Sequence, residues 1–344
     1  MSFHRDSRMA AVSKRATTAC LPSVSVIIPT YGGRHRLECV LSPLLEDPAT
    51  GEIIVVVDGS TDGSLELLQE RATADSRLRP LFIERRGPSA ARQVGVEAAT
   101  NEVVLMLDDD LVAEPGLVSG HARHHATAEG IVVIGYYSHP SESKRRPGSF
   151  PDEIYADAYR TSWESYAHDG EQALIHLWGG NVSLRRVDCL HVGVQSDAFY
   201  CRGPGHEDQD FGIRCLEFGL RGITDRSLSA RHLHYRSVGS FIRDAREDGA
   251  GAMLVHILHA DVVGPADISR FSVGLPLVAR LIVQLSRRRA VERVTAAVLL
   301  RSVRVAGWVR MFGLETNLAR LLRRIQQQRG ALELLASHPR HGSA

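Results

Sequence analysis

Between residues 24 and 107 the sequence alternates between short apolar segments and amphipathic segments, and polar residues follow the apolar segments. Unbroken apolar strands are typical of a parallel sheet that is covered by helices on both faces. The predicted strands are 24–29, 52–58, 81–83 and 102–107. Ligands of such sheets bind beyond the carboxyl ends of the strands. The polar residues at those ends are therefore the first candidates for a functional site.

The segments between these strands have the apolar spacing of helices. The predicted helices are 34–46, with an interruption at Pro43, 64–72 and 89–99. Beyond them, the pattern predicts a strand at 131–137, helices at 153–178 and 211–219, and a strand near 222–224. Together these elements predict an α/β fold.

The chain has 344 residues, of which 44% are apolar, enough for one large domain with an appendage. We expect a disordered tail over 1–22, the α/β domain over 23–245 and a helical region over 246–344. The formal net charge of +1 gives no argument for a nucleic-acid partner. Five dispersed cysteines and no run of about 18 apolar residues predict a cytoplasmic protein without a membrane-spanning helix.

Three adjacent carboxylates, Asp108, Asp109 and Asp110, follow the predicted strand 102–107. Adjacent carboxylates repel one another, so a cation is their natural counterion. Mg²⁺ or Mn²⁺ suits oxygen ligands and can also bridge to phosphates. The alternative is a solvated acidic turn that caps a helix from Leu111 onward.

Asp58 ends the second predicted strand and precedes Gly59. Its carboxylate could accept a hydrogen bond from a nucleobase or a ribose. The alternative is an Asx turn or a cap for the helix that is predicted to begin near Ser64. A comparable choice applies to Arg92, which either binds a diphosphate or lies on the surface of a helix packed against the sheet.

A second acidic run, Glu207 to Asp210, follows Gly203-Pro204-Gly205. Asp208 is a candidate general base for an acceptor hydroxyl. The alternative is favourable placement of acidic residues at a helix N-terminus. His232 and His234 alternate along an extended segment, so only one of them can face a shared site, as a metal or phosphate ligand or as a structural residue.

Six segments of the chain together resemble family 2 glycosyltransferases, a group of inverting enzymes with the GT-A fold. The resemblance extends from about residue 23 to residue 235. The usual pair of acids in the second strand is here Val57-Asp58, which leaves Asp58 alone to contact the nucleotide, and Gln93 stands where Asn is usual. The segments that carry the resemblance are 24–31, 55–62, 87–95, 107–110, 179–185 and 205–208.

The resemblance implies a GT-A (Rossmann-like) fold with a mixed, mainly parallel sheet flanked by helices and a helical C-terminal appendage. It implies transfer of a sugar from a nucleotide diphosphate sugar, with Asp208 as general base and Glu207 orienting the donor or acceptor. A divalent metal, Mg²⁺ or Mn²⁺, would be held by Asp108, Asp110 and His232. The implied donor-binding residues are Pro29, Thr30, Tyr31, Asp58, Arg92, Asp108, Asp109, Gly180 and Asn181.

The acceptor stays open among a glycan, a lipid carrier, a peptide and a small natural product. Between Arg270 and Arg329 there are 13 Arg residues and only two acids, Glu292 and Glu315. These helices either contact an anionic membrane peripherally or pack against the rest of the chain.

Two other functions remain as alternatives. A sugar-nucleotide pyrophosphorylase would leave the acids near residue 207 without a role, and a non-catalytic nucleotide-sugar-binding module would bind the donor without turnover. A dinucleotide oxidoreductase is disfavoured, because no GxGxxG motif follows the first strand.

Overall fold

The computed structural model describes residues 21–138, 145–166, 168–199, 205–233 and 237–337. Most of the predicted disordered tail, residues 1–20, lies outside the described residues, as does His234. In the part of the chain that is described, no helix is both long enough and apolar enough to cross a bilayer.

Eight strands of the described residues form one mixed sheet in the order β3-β2-β1-β4-β7-β6-β8-β5. The strands are β1 Val24–Thr30, β2 Thr50–Asp58, β3 Leu78–Ile83, β4 Val103–Leu107, β5 Leu111–Ala113, β6 Ile131–Ser138, β7 Asn181–Arg185 and β8 Arg221–His232. Strands β1 to β4 are mutually parallel, and β7 runs antiparallel to both of its neighbours. The predicted mixed, mainly parallel sheet is confirmed.

Helices cover this sheet, and a second group of helices follows it along the chain. The first group is α1 Arg34–Glu46, α2 Ser64–Ala74, α3 Pro88–Ala98, α4 Leu117–Thr127, α5 Phe150–Tyr166, α6 Gly170–Ile175, α7 Arg186–Val192 and α8 Glu207–Glu217. The second group is α9 Val238–Leu258, α10 Ala260–Val263, α11 Leu277–Leu285, α12 Arg289–Trp308 and α13 Phe312–Ser337. The predicted boundary at residue 245 falls within α9.

The strand order places the site. Strands β1 and β4 are buried along their whole length, as expected for central strands covered on both faces. The chain proceeds from β1 outward to β2 and β3 and then returns to β4 on the other side of β1. Ligands of open α/β sheets bind where the strand order reverses in this way. The ends of β1 and β4, at Thr30 and Leu107, therefore flank the candidate site.

Three predicted helices differ from the structure. Helix α1 continues through Pro43, because Leu41 and Leu44 on either side of it are buried in the core. The predicted helix 153–178 is two helices, since the Asp169 side chain accepts hydrogen bonds from two backbone N–H groups and starts α6. Helix α8 begins at Glu207, four residues before the predicted start.

The C-terminal helices pack on the α/β domain through two apolar clusters. In one, Phe241 of α9 meets Phe150 and Ile154 of α5. In the other, Met253 of α9 packs with Ile213 of α8. Burying a large apolar side chain contributes about 1.5–3 kcal/mol, so these clusters hold the two groups of helices together.

Candidate active site

The three adjacent aspartates lie at the carboxyl end of β4, and each has a different environment. Asp109 accepts a hydrogen bond from the Thr30 hydroxyl at 2.6 Å and pairs with the Arg36 guanidinium at 2.8 Å. Burial raises the pKa of Asp109, although Arg36 opposes this effect. Through these contacts, the side chain of Asp109 joins the end of β4 to Thr30 at the end of β1 and to Arg36 in α1. The alternative of a helix cap is wrong, because Leu111–Ala113 is a strand.

Asp108 is linked to the candidate base by one buried cation. The Arg92 guanidinium donates to Asp108 Oδ1 at 2.6 Å and to Asp208 Oδ1 at 3.4 Å. Burial opposes the charge of Arg92, but attraction to Asp108 and Asp208 outweighs it and raises the pKa of the guanidinium. Two acids that lie 100 residues apart in the sequence therefore meet in one cleft.

The Gly179-Gly180 pair lies between these two acids. The Gly179 N–H donates to Asp208 Oδ2 at 2.9 Å, and the Asp108 N–H donates to the Gly180 carbonyl at 3.1 Å. A Cβ atom on Gly179 would lie 2.4 Å from Asp208 Oδ1, and one on Gly180 would lie 2.7 Å from Asp108 Oδ2. Only glycine allows both carboxylates to approach the backbone this closely.

Asp208 has the environment of a general base. It lies in the first turn of α8, and its carboxylate also borders a small cavity of about 10 Å³ beside Arg92. Burial raises the pKa of Asp208 to about 6, with Arg92 lowering it and Glu207 raising it. A carboxylate with this pKa is deprotonated at neutral pH yet basic enough to accept a proton in a reaction. Glu207 accepts a hydrogen bond from the Gly205 N–H at 2.8 Å.

Asp58 holds the loop that leads to α3. It is buried and accepts hydrogen bonds from the N–H groups of Arg86 and Gly87 at 2.7 and 2.9 Å. It neither caps α2, where Asp62 accepts from the Ser64 N–H, nor closes a local turn with its own side chain. Tyr31 directly follows β1 and is half exposed. The Arg85 guanidinium lies 3.9 Å from the centre of the Tyr31 ring.

Two residues predicted to bind the donor are directed into the protein. Pro29 is a buried strand residue paired with Val56. The Asn181 amide is buried and bonds to His121 Nε2 at 3.0 Å and to the Leu228 carbonyl at 3.0 Å. The polar atoms of Asn181 thus join β7 to α4 and β8 in this structure, and donor binding by Asn181 stays a prediction.

Comparison with known proteins identifies the family. Residues 25–187 match the family model described as Glycosyl transferase family 2. The uncharacterized glycosyltransferase YfnE of Bacillus subtilis is 30% identical over 268 residues, which cover 64% of this chain and 67% of YfnE. The chain belongs to glycosyl transferase family 2.

The comparisons also give another similar glycosyltransferase and a solved structure of the same fold. The glucosyl-dolichyl phosphate glucuronosyltransferase of Haloferax volcanii is 28% identical over 221 residues, 61% of this chain and 68% of the relative. The mannosyltransferase PcManGT from Pyrobaculum calidifontis, in complex with GDP-Man and Mn²⁺, is similar in structure with a TM-score of 0.57 and 19% identity. That match covers 93% of this chain and 88% of the other, and it confirms the GT-A fold. This chain matches the glycosyltransferase GlyG of Streptococcus pneumoniae over only 40% of GlyG's length.

Of the metal ligands predicted for this family 2 glycosyltransferase, Asp108 and Asp110 lie in the turn between β4 and β5, and His232 ends β8. Leu111 of β5 pairs with His232 of β8, and this pairing brings His232 Nε2 to 3.6 Å from Asp110 Oδ2. Burial raises the pKa of Asp110 to about 7, and the charges of Asp108 and Asp109 add to this effect. No three His, Cys, Asp or Glu side chains among the described residues converge on one metal position. Carboxylate and imidazole donors nevertheless fit a divalent ion that takes its remaining ligands from phosphates and water.

Three residues of this glycosyltransferase are not among the predicted site residues: Arg36, His206 and Asp248. Arg36 lies in the first turn of α1 and could have been noted as a cation near the end of β1. His206 adopts a left-handed backbone with φ of 68° at the N-cap of α8, and its ring bonds to Asp248 of α9. No local signal in the sequence links His206 to Asp248, because 42 residues separate them.

Proposed function

We propose that this glycosyltransferase moves a sugar from a nucleoside diphosphate sugar to an acceptor with inversion at the anomeric carbon. The observation that carries the proposal is that one buried guanidinium, that of Arg92, pairs with both Asp208 and Asp108. Asp208 is the candidate base, and Asp108 is the acid expected near the diphosphate. Such an arrangement places a proton acceptor and a positive charge on the same cleft, as a displacement reaction requires.

The donor would lie at the carboxyl ends of β1, β2 and β4. Asp58 lies at the end of β2, where its backbone-bonded oxygens retain lone pairs for a ribose or a base. Tyr31 offers an exposed ring for stacking against the nucleobase. Arg92 would approach the diphosphate, and the Gly179-Gly180 backbone lets Asp208 and Asp108 lie close to it beside the donor site.

In the reaction, Asp208 would accept the proton of the acceptor hydroxyl while the acceptor oxygen bonds to the anomeric carbon. The bond from that carbon to the diphosphate oxygen breaks in the same step, and the nucleoside diphosphate leaves with the electron pair. Arg92 would stabilise the negative charge that develops on the diphosphate. Glu207, beside Asp208 in α8, would orient the donor or the acceptor.

A divalent ion, Mg²⁺ or Mn²⁺, would be held by Asp110 and His232, whose side chains lie 3.6 Å apart. Asp108 would join them as a third ligand after a shift of its side chain, since the three do not converge on one position here. When bound, such an ion supplies charge stabilisation for the leaving diphosphate. The Mn²⁺ complex of the structurally similar PcManGT is consistent with this assignment. Acceptors compatible with the proposal are a glycan, a lipid carrier, a peptide or a small natural product.

The test is a screen of nucleoside diphosphate sugars for binding and turnover, each with and without Mn²⁺, by calorimetry and by detection of the released nucleotide. We expect one donor to bind more tightly with Mn²⁺. Asp208→Asn should bind that donor as the wild type does but fail to transfer the sugar. Retained turnover in Asp208→Asn would remove Asp208 from the role of base. Donor binding without turnover or hydrolysis by the wild type would indicate a binding module instead.

A further inference from the structure

Helix α11 presents an apolar face to the exterior. Leu277, Val278, Leu281 and Leu285 recur at helical spacing and are all exposed, with Leu277 70% exposed. The opposite side of the helix is anchored by Val283, which is fully buried against Leu299, Leu322 and Ile325 of the neighbouring helices. Exposed aliphatic side chains that are this large and this close together indicate an interaction surface.

Helix α12 carries a second exposed stripe. Val294, Val298, Arg301, Val305 and Trp308 follow one another at intervals of four, three, four and three residues, which places them on one side of the helix. All five are exposed, and Trp308 is 80% exposed. The residues that bury α12 against α13, among them Leu299, Val303 and Ala306, lie on the opposite side.

The exposed charged side chains of α11 and α12 themselves are all of one sign. Exposed Arg280 lies beside the α11 face, and exposed Arg293 and Arg304 flank the α12 stripe. The one acid in α11 and α12 is Glu292, which is turned inward, buried, and bonded to Arg246 at 3.1 Å. Glu315, at the start of α13, is also buried and accepts a hydrogen bond from the Gly148 N–H. Because both acids are buried, the large and charged side chains that α11 and α12 expose are apolar or cationic.

We propose that the exposed faces of α11 and α12 dock peripherally on an anionic lipid bilayer. The occupant follows from the chemistry of the surface. Aliphatic side chains and a Trp at a helix end enter the boundary between headgroups and acyl chains, and flanking Arg residues pair with anionic headgroups while their stems lie along the apolar layer. A second copy of the chain docking through the same helices would need carboxylates opposite these Arg residues, and α11 and α12 expose none.

The proposal does not depend on the identity of the donor or on catalysis. Its test is flotation of the full chain with vesicles of phosphatidylcholine, with or without phosphatidylglycerol, at low and high salt. We expect flotation with the anionic vesicles at low salt and its loss at high salt, because salt screens the contribution of the Arg residues. Arg293→Gln and Arg304→Gln should each lower the partition coefficient about fivefold.

The apolar stripe is tested with a matched pair of variants. Val298 of α12 is 55% exposed and Val187 of α7 is 54% exposed, so a glutamate is tolerated equally well at both positions. Val298→Glu should lower the partition coefficient about tenfold, and Trp308→Glu should do the same, whereas Val187→Glu should leave it unchanged. Circular dichroism and thermal unfolding confirm that each variant is folded.

Three results would overturn the proposal. One is a wild type that stays with the soluble fraction at low salt in the presence of anionic vesicles. Another is equal flotation of Val298→Glu, Trp308→Glu and the wild type. The last is a dimer in sedimentation velocity that Trp308→Glu dissociates while no form of the protein floats, since that would assign the surface to a second copy of the chain.

Discussion

The Nε2 atom of His206 lies 3.0 Å from Oδ1 of Asp248, and this contact joins the N-terminus of α8 to the C-terminal helices. Asp248 also accepts hydrogen bonds from Arg323 and Gln327 of α13. Burial alone would lower the pKa of His206, but the hydrogen bond that its ring donates to Asp248, the charge of Asp248 and the contact with Gln209 together outweigh burial and raise this pKa. The backbone of His206 lies in the left-handed region, which is unusual for a residue with a side chain. The contact between its ring and Asp248 helps to hold the residue in this conformation.

The first prediction concerns Asp248 as a positioning residue. Asp248→Ala should lower kcat about ten- to a hundredfold with little change in the KM for the donor, because Asp208 follows His206 by two residues and would move with it. Asp248→Asn keeps an acceptor oxygen and should restore part of the activity. Steady-state kinetics of the two variants provide the measurement.

Another aspartate that pairs with α13 provides a matched control for Asp248. Asp157 of α5 pairs with Arg320 of α13 at 2.7 Å, so Asp157→Ala also removes a bridge to α13 but lies away from α8. We expect Asp157→Ala to leave kcat unchanged. Equal losses of kcat in Asp157→Ala and Asp248→Ala would indicate a general loosening of the helices and would contradict a positioning role.

The sequence predicts the strand alternation of the α/β domain because local patterns determine it. The buried strands have continuous apolar runs, and the acids at residues 58, 108 and 208 stand beside recognisable turns or strand ends. The contact between His206 and Asp248 has no such local pattern. Likewise, Asn181 follows two glycines in a segment that resembles a donor-binding motif, yet its amide faces inward because β7 pairs with β4 and β6. Such directions depend on strand pairing across the sheet, which a single sequence does not specify.

The second prediction is the pH dependence of transfer. The pKa of about 6 for Asp208 implies that the acid limb of kcat/KM lies near pH 6, well above the ordinary range of a carboxyl group. The negative charge of Glu207 contributes to the raised pKa of Asp208, so Glu207→Gln should move the acid limb to lower pH. The measurement is a pH–rate profile at saturating acceptor. An acid limb that does not move in Glu207→Gln would show that another group controls it.

The third prediction concerns the two glycines between the acids. Gly180→Ala would place a methyl group 2.7 Å from Asp108 Oδ2, and Gly179→Ala would place one 2.4 Å from Asp208 Oδ1. Each should lower kcat/KM about a hundredfold or more, since the displaced carboxylate belongs to the proposed reaction centre. Gly180→Ala should also weaken the effect of Mn²⁺ on donor binding, whereas Gly179→Ala should spare it. The control is Gly313→Ala in α13, where nothing lies within 4 Å of the new methyl group and activity should be unchanged.

The fourth prediction concerns stability and a carboxylate on another part of β2. Glu52 is buried and accepts hydrogen bonds from the Ser25 hydroxyl at 2.7 Å and from the N–H and hydroxyl of Thr100 at 2.6 and 2.7 Å. Burial raises the pKa of Glu52, but the hydrogen bonds from Ser25 and Thr100 outweigh it and lower the pKa to about 2. The ionised form of Glu52 therefore ties β1, β2 and the segment before β4 together.

The native state binds a proton at Glu52 less readily than the unfolded chain does. The stabilisation of the fold by ionised Glu52 is therefore complete above pH 4.5 and is lost as the pH falls towards about 2. Glu52→Gln should lower the free energy of unfolding at neutral pH by about 1–3 kcal/mol, and the difference from the wild type should shrink at about pH 3. Urea unfolding at the two pH values measures both quantities. Glu38→Gln is the control, since Glu38 forms an exposed pair with Arg71 and should change the stability by less than about 1 kcal/mol. A pH-independent difference between Glu52→Gln and the wild type would mean that the charge of Glu52 is not what stabilises the fold.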